Sequence, residues 1–204
     1  MSDRGIDPPP GHSRIRAVLF DMDGTLTRPT LDFPAIRSEI GLPEPLLESM
    51  LAMAAGAERD RAFAILERHE DRAAEISELN DGVHDVLEFL NGRKVPSALV
   101  TRNSRVSAHR VIEKHRLGFE VVMTRDDAPA KPRPEPLWII CERLGVAPAE
   151  ALMVGDFRLD ILAGRNAGTR TALLTNGGPA KFLPEAPPDH VLGRLSDLRD
   201  LFRR

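Results

Sequence analysis

The chain has no tyrosine, one cysteine and one tryptophan in 204 residues. A single cysteine, Cys141, closes no disulfide within the chain, and a reducing, cytoplasmic compartment is the natural reading. Cys141 falls in the apolar helical run LWIICERLG with no activating feature beside it, so it is expected to be a plain buried residue rather than a reactive thiol. No apolar run approaches the roughly 18 residues of a membrane helix. No basic tract interleaves with aromatics, and 28 Lys and Arg against 31 Asp and Glu leave a net charge of -3. Nucleic acid and anionic membranes are therefore not favoured as partners. The start, MSDRGIDPPPGHSRIR, lacks the apolar segment of a signal peptide. Residues 1–13 are expected to be a disordered tail.

What is present is ordinary for a folded domain: 42% hydrophobic and 29% charged residues, in a chain long enough for one sizeable core with a small insert. Five short apolar runs stand between turn residues: AVLF at 17–20, SALV at 97–100, EVVM at 120–123, ALMV at 151–154 and TALL at 171–174. Continuous apolar runs of this length suit strands buried on both faces. Helical patterns lie between them. GVHDVLEFLNGR has apolar residues at 83, 86, 87 and 90. SRVSAHRVIEKHRLG opens on a Ser cap and is expected to end on Gly118. PEPLWIICERLG carries Pro134 near its first helical position, and LDILAGRNAG follows the fourth run. Alternating strand and helix predicts an α/β fold, a parallel sheet with helices on both faces.

Residues 28–82 break the alternation. Three helical patterns and no strand-like run make this stretch a helical insert, with residues 14–27 and 83–204 as the core. In the third pattern Ala62, Leu66, His69, Ala73 and Ile76 share one face, so His69 is expected to be a half-buried packing residue rather than a ligand.

In an open parallel sheet, ligands bind beyond the carboxyl ends of the strands. The residues there are Asp21 and Asp23 after the first run, and Thr101, Arg102 and Asn103 after the second. Lys131 follows the third, and Gly155, Asp156 and Asp160 follow the fourth. Up to four carboxylates then face one lysine, and like charges that close cannot all stay ionised unaided. A hard divalent cation resolves this, and so few carboxylates suit Mg²⁺. Thr101, Lys131 and backbone N–H groups supply donors for an anion. Carboxylate nucleophile, Mg²⁺ and phosphate cradle together read as phosphoryl transfer.

The order DMDGT, LVTRN, KPRPEP and MVGDFRLDILAGRNAG closely resembles the four motifs of the haloacid dehalogenase superfamily, over residues 15 to 200. The helical insert resembles its small helical cap, and the chain looks like the phosphoglycolate-phosphatase-like branch. The resemblance implies a Rossmann-like core with an inserted cap, and a Mg²⁺-dependent phosphatase acting on a small phosphorylated metabolite through an aspartyl-phosphate. It implies Asp21 as nucleophile and Asp23 as the acid and base. Asp21, Asp156 and the Asp23 carbonyl would bind Mg²⁺. Thr101 and Lys131 would hold the phosphoryl group. Asp160 would orient Lys131 or a metal-bound water, and Asn103 and the Gly24 backbone would touch substrate or phosphate. Phe157 stands where the fourth motif usually has Ser or Thr, so no side-chain role carries over there. Arg102 and Arg158 are either substrate contacts or solvated residues.

Asp23 argues against dehalogenation, which needs no acid for the leaving group. No lysine occurs from residue 28 to 93, which argues against the Schiff-base chemistry of phosphonate hydrolysis. A phosphosugar mutase shares the core motifs, and a binding protein on this fold without catalysis is a further alternative. Arg37, Arg59, Arg61, Arg68 and Arg72 in the insert are candidates to face the cleft. Residues 28–30 and 80–82 are the expected hinges. Oligomeric state, monomer or homodimer, is left open.

Overall fold

A computed structural model describes residues 14–180 and 184–203; the expected tail at 1–13 lies outside the described residues. The five apolar runs become β1 (Ala17–Phe20), β2 (Ser97–Val100), β3 (Val121–Met123), β4 (Ala151–Gly155) and β5 (Arg170–Leu174). A sixth strand, β6 (His190–Leu192), was not expected from the sequence. All neighbours pair in parallel, in the order β3-β2-β1-β4-β5-β6. The chain runs outward from β1 to β3, then returns to place β4 on the other side of β1. The crevice between the ends of β1 and β4 is thus the switch point at which such sheets bind ligands.

Strand alternation divides the core between the two faces. Val18, Phe20, Leu99 and Val154 pack with Val86 and Leu90 of α4 (Val83–Gly92) and with Ala108 and Val111 of α5 (Arg105–His115). Ala17, Leu19, Val100 and Met153 pack with Leu137, Ile140 and Cys141 of α6 (Glu135–Leu144) and with Ala163 and Ala167 of α7 (Arg158–Ala167). Cys141 is buried, and burial pushes its thiol up to about 11, as expected of an inert core residue. Ser104 caps α5, its hydroxyl accepting the Ser107 N–H at 3.2 Å. The helix ends at His115, with Arg116 left-handed at φ +52°, short of the expected Gly118. Among the described residues no helix is long and apolar enough to cross a membrane.

The insert forms α1 (Phe33–Ile40), α2 (Leu46–Ala52) and α3 (Ala57–Ile76) around its own small core of Ile36, Leu46, Leu47, Met50, Ala62 and Leu66. The expected α3 stripe holds at Ala62, Leu66 and Ala73 but fails at Ile76, which is 58% exposed, while Glu70 is buried at 2%. The reason is a change of neighbour. The first half of α3 packs on α1 and α2, whereas Ala74 joins the core cluster that contains Ala108 and Val111 of α5. His69 is half-buried, with Nε2 2.9 Å from a Glu39 carboxylate oxygen.

Polar ties secure α3 to α5. Arg110 lies 2.7 Å from Asp71. Lys114 Nζ donates to the carbonyls of Glu75 at 2.6 Å and Ser77 at 2.8 Å. A cation on the unpaired carbonyls of a helix C-terminus is favourable. Lys114→Met is therefore expected to lower stability by about 1 kcal/mol, read as a shift of the urea midpoint; an unmoved midpoint would show that solvent serves those carbonyls equally well. The two connectors between core and insert pair with each other. Arg28 N–H donates to the Glu78 carbonyl at 2.8 Å and Asn80 N–H to that of Leu26 at 2.9 Å.

Candidate active site

β1 delivers Asp21 directly into the switch-point crevice, its N–H still donating to the Val154 carbonyl of β4 at 2.9 Å. Asp23 follows two residues on. The chain then turns at Gly24, whose φ is +84°, and a Cβ there would lie 2.1 Å from the Asp156 carboxylate. Only glycine meets both demands. The turn is held from outside. The Gly24 carbonyl accepts Asn80 Nδ2 at 3.0 Å and Asn176 Nδ2 at 2.7 Å.

Lys131, 1% exposed, spends all three of its donors inside the crevice. Nζ bonds Asp21 Oδ1 at 2.6 Å, Asp160 Oδ1 at 2.6 Å and the Val100 carbonyl at 2.8 Å. Asp160 sits in the first turn of α7, and its second oxygen accepts the Phe157 N–H at 3.1 Å. Residue 157 thus contributes backbone here. One oxygen from each of Asp21, Asp156 and Asp160 lies within 4.8 Å of the others. Asp23 Oδ2 accepts Asn103 Nδ2 at 2.8 Å, and Thr27 Oγ1 is 3.4 Å from Oδ1. Thr101 is buried at the end of β2, its Oγ1 accepting the Asn103 N–H at 3.2 Å.

Asp21, Asp23, Gly24, Thr101, Asn103, Lys131, Asp156 and Asp160 therefore share one crevice. The two arginines left open by the sequence are both engaged by acids. Arg102 makes a two-pronged pair with Glu48 of α2, at 2.9 and 3.1 Å, and also donates to the Lys131 carbonyl. Arg158 lies 3.8 Å from Glu185. Sequence reasoning missed Asn80, Asn176, Glu48 and Glu70. Asn176 follows β5, so the same strand-end rule extended by one strand would have found it. The other three come from the insert and its return connector, where sequence periodicity reports burial and not partners.

Electrostatics set the demand of the site. Burial pushes the Asp21 carboxyl well above its ordinary value, with Asp160 and Asp156 adding to the effect and Lys131 opposing it. Burial also raises Asp23, against the hydrogen bonds from Asn103 and Thr27. Asp156 is pushed up to about 7 by burial and by Asp160. For Lys131, burial disfavours the cation, but Asp160 and Asp21 outweigh it and the pKa rises. Three clustered carboxylates against one ammonium leave negative charge that a hard cation would balance. The oxygen-only donor set and the Gly24 cradle beside Asp156 fit a divalent ion.

The family model for haloacid dehalogenase-like hydrolases matches residues 15–168. The chain belongs to this family. This haloacid dehalogenase-like hydrolase is 32% identical over 203 residues to an N-acetylmuramic acid 6-phosphate phosphatase of Pseudomonas aeruginosa, covering 87% of this chain and 88% of that one. It is 34% identical over 212 aligned residues to the pyrophosphatase PpaX of Bacillus velezensis, covering 91% and 95%. A crystal structure described as a putative phosphoglycolate phosphatase from Lactobacillus plantarum, 25% identical, matches it with a TM-score of 0.72 over 93% of this chain and all of that one.

Proposed function

We propose that the protein is a Mg²⁺-dependent phosphatase of small phosphorylated metabolites that works through an aspartyl-phosphate on Asp21. The observation that carries this reading is Asp21 itself, a buried carboxylate at the switch point, bonded to Lys131 and followed two residues later by a second carboxylate. Phosphatase names among the relatives support hydrolysis over transfer to a second sugar hydroxyl. In this reading an Asp21 oxygen attacks phosphorus in line with the leaving alkoxide, and Asp23 gives its proton to that oxygen. Asp23 enters this step protonated, which its raised pKa favours. It then takes a proton from the attacking water, and the Asp21–phosphorus bond breaks to free phosphate. Lys131 and the Thr101 hydroxyl stabilise the charge on the equatorial oxygens. Asp21, Asp156 and the Asp23 carbonyl would hold Mg²⁺, which when bound neutralises the phosphoryl oxygens. Asp160 keeps Lys131 in place. Residues 28–82 would act as a cap over the 14–27 and 83–204 core, with the Glu48–Arg102 pair tying α2 to the strand-end loop.

The first test is phosphate release from p-nitrophenyl phosphate with and without Mg²⁺; no release under either condition would sink general phosphatase activity. A second test reads the metal without turnover. In the metal-free fold, a carboxyl raised to about 7 keeps a proton that the unfolded chain has lost. Stability then falls as pH rises from the ordinary carboxylate value towards 7. Mg²⁺ must displace that proton, so its stabilising effect should be larger at pH 8 than at pH 6. Asp156→Asn should raise the melting temperature of the metal-free protein and remove most of the Mg²⁺ shift. A shift that survives the substitution would place the metal elsewhere.

A further inference from the structure

Among the described residues, the buried carboxylates are Asp21, Asp160 and Glu70. The first two lie in the crevice, but Glu70 belongs to α3 of the insert. Both of its oxygens are used. Oε2 accepts the Ser104 N–H at 3.1 Å, and Oε1 is held by Arg125 Nη1. Arg125 reaches further: Nη1 donates to the Arg102 carbonyl at 3.2 Å, and its backbone N–H donates to the Asn103 carbonyl at 3.2 Å. Glu70 and Arg125 together grip three consecutive residues, Arg102, Asn103 and Ser104. The middle one aims its side-chain amide at Asp23.

A buried ion pair contributes little net stability, because desolvation offsets much of the attraction. General stabilisation therefore gives little reason to seat this one on the strand-end loop. We infer that Glu70 is a positioning residue for Asp23: through Arg125 and Ser104 it fixes the backbone of Asn103, whose amide orients the Asp23 carboxyl. The insert thus reaches the reaction through the acid and not only through substrate contacts. This rests on the phosphatase reading, in which Asp23 protonates the leaving oxygen. The chain of contacts is Glu70 to Ser104 N–H, one residue along to Asn103, and then 2.8 Å to Asp23.

The leaving group separates this role from a merely structural one. Phenolate needs a proton far more than p-nitrophenolate does. In Glu70→Gln, kcat/KM for phenyl phosphate, which reports the steps up to departure of the leaving group, should fall about 10-fold or more, and kcat/KM for p-nitrophenyl phosphate less than about 3-fold. Equal losses on the two esters would overturn the inference. Because Glu70→Gln leaves Arg125 buried beside a neutral group, the double variant Glu70→Leu/Arg125→Met serves as a partner; it removes both charges, and a matched melting temperature shows that it folds. It should show the same unequal loss. The Asn103 side-chain amide signal, followed by ¹⁵N NMR, reports the geometry independently of turnover. It should shift in both variants, and an unmoved signal overturns the positioning role. If the wild type hydrolyses neither ester, the phosphatase reading fails, and the Asn103 signal alone decides whether Glu70 orients the Asp23 contact.

Discussion

Asp21→Asn is expected to lower Mg²⁺-dependent phosphate release by at least about 10⁴-fold while leaving the fold intact. An amide is nearly the same size as the carboxylate, and its oxygen can still accept the bond from Lys131 Nζ that Asp21 Oδ1 now takes at 2.6 Å. What it lacks is the negative oxygen that must reach phosphorus. Loss of that charge should not destabilise the metal-free protein. Burial and the neighbouring Asp160 and Asp156 already hold the Asp21 carboxyl well above its ordinary value, so its ionisation opposes folding. The variant's melting temperature without Mg²⁺ should equal or exceed that of the wild type. Steady-state phosphate release and a thermal melt on one preparation check both halves. Retention of more than about one tenth of the activity would remove Asp21 as nucleophile, because deleting a covalent nucleophile normally costs several orders of magnitude.

The strands were legible because burial on both faces writes itself as a continuous apolar run, and β1, β2 and β4 are buried at every position. β6 has three residues, one of them the half-exposed Val191, and pairs only at the sheet edge with β5. It therefore carries no such run. The crevice was legible because parallel strands present their carboxyl ends on one edge, so a short rule brings Asp21, Thr101, Lys131 and Asp156 together from positions far apart in sequence. Partnerships were not legible. Arg102 could equally have met solvent or substrate, and it meets Glu48 of α2. Glu70 sits on a helix whose apolar period placed Ile76 on the buried face, yet α3 exchanges its α1 and α2 neighbours for α5 part-way along. A hydrophobic period identifies one face of a helix against one neighbour. It does not register a second neighbour or a charge whose partner lies 55 residues away.

Removing the lysine should do what removing the nucleophile does not. Lys131→Met should lower stability near neutral pH by about 3–5 kcal/mol and abolish turnover, because it leaves two buried carboxylates without their shared cation. Asp21 and Asp160 each lose a 2.6 Å bond to Nζ, and the Val100 carbonyl loses its 2.8 Å donor. Methionine fills much of the space, so the loss is electrostatic rather than a cavity. The pH dependence distinguishes the two causes. Asp21 is already raised in the wild type, and without Lys131 the folded variant must hold that proton to higher pH still, after the unfolded chain has given it up. Its stability should then fall with rising pH by up to about 1.4 kcal/mol per unit for each retained proton. In the wild type Lys131 opposes that proton uptake, and its own raised pKa keeps the ammonium charged throughout the range. The difference between wild type and variant should be larger at pH 8 than at pH 5. Urea midpoints at the two values read it directly. A pH-independent loss would mean that Lys131 acts as a packing residue. Added Mg²⁺ should narrow the gap at pH 8, since a bound cation supplies part of the positive charge that the lysine gave Asp21.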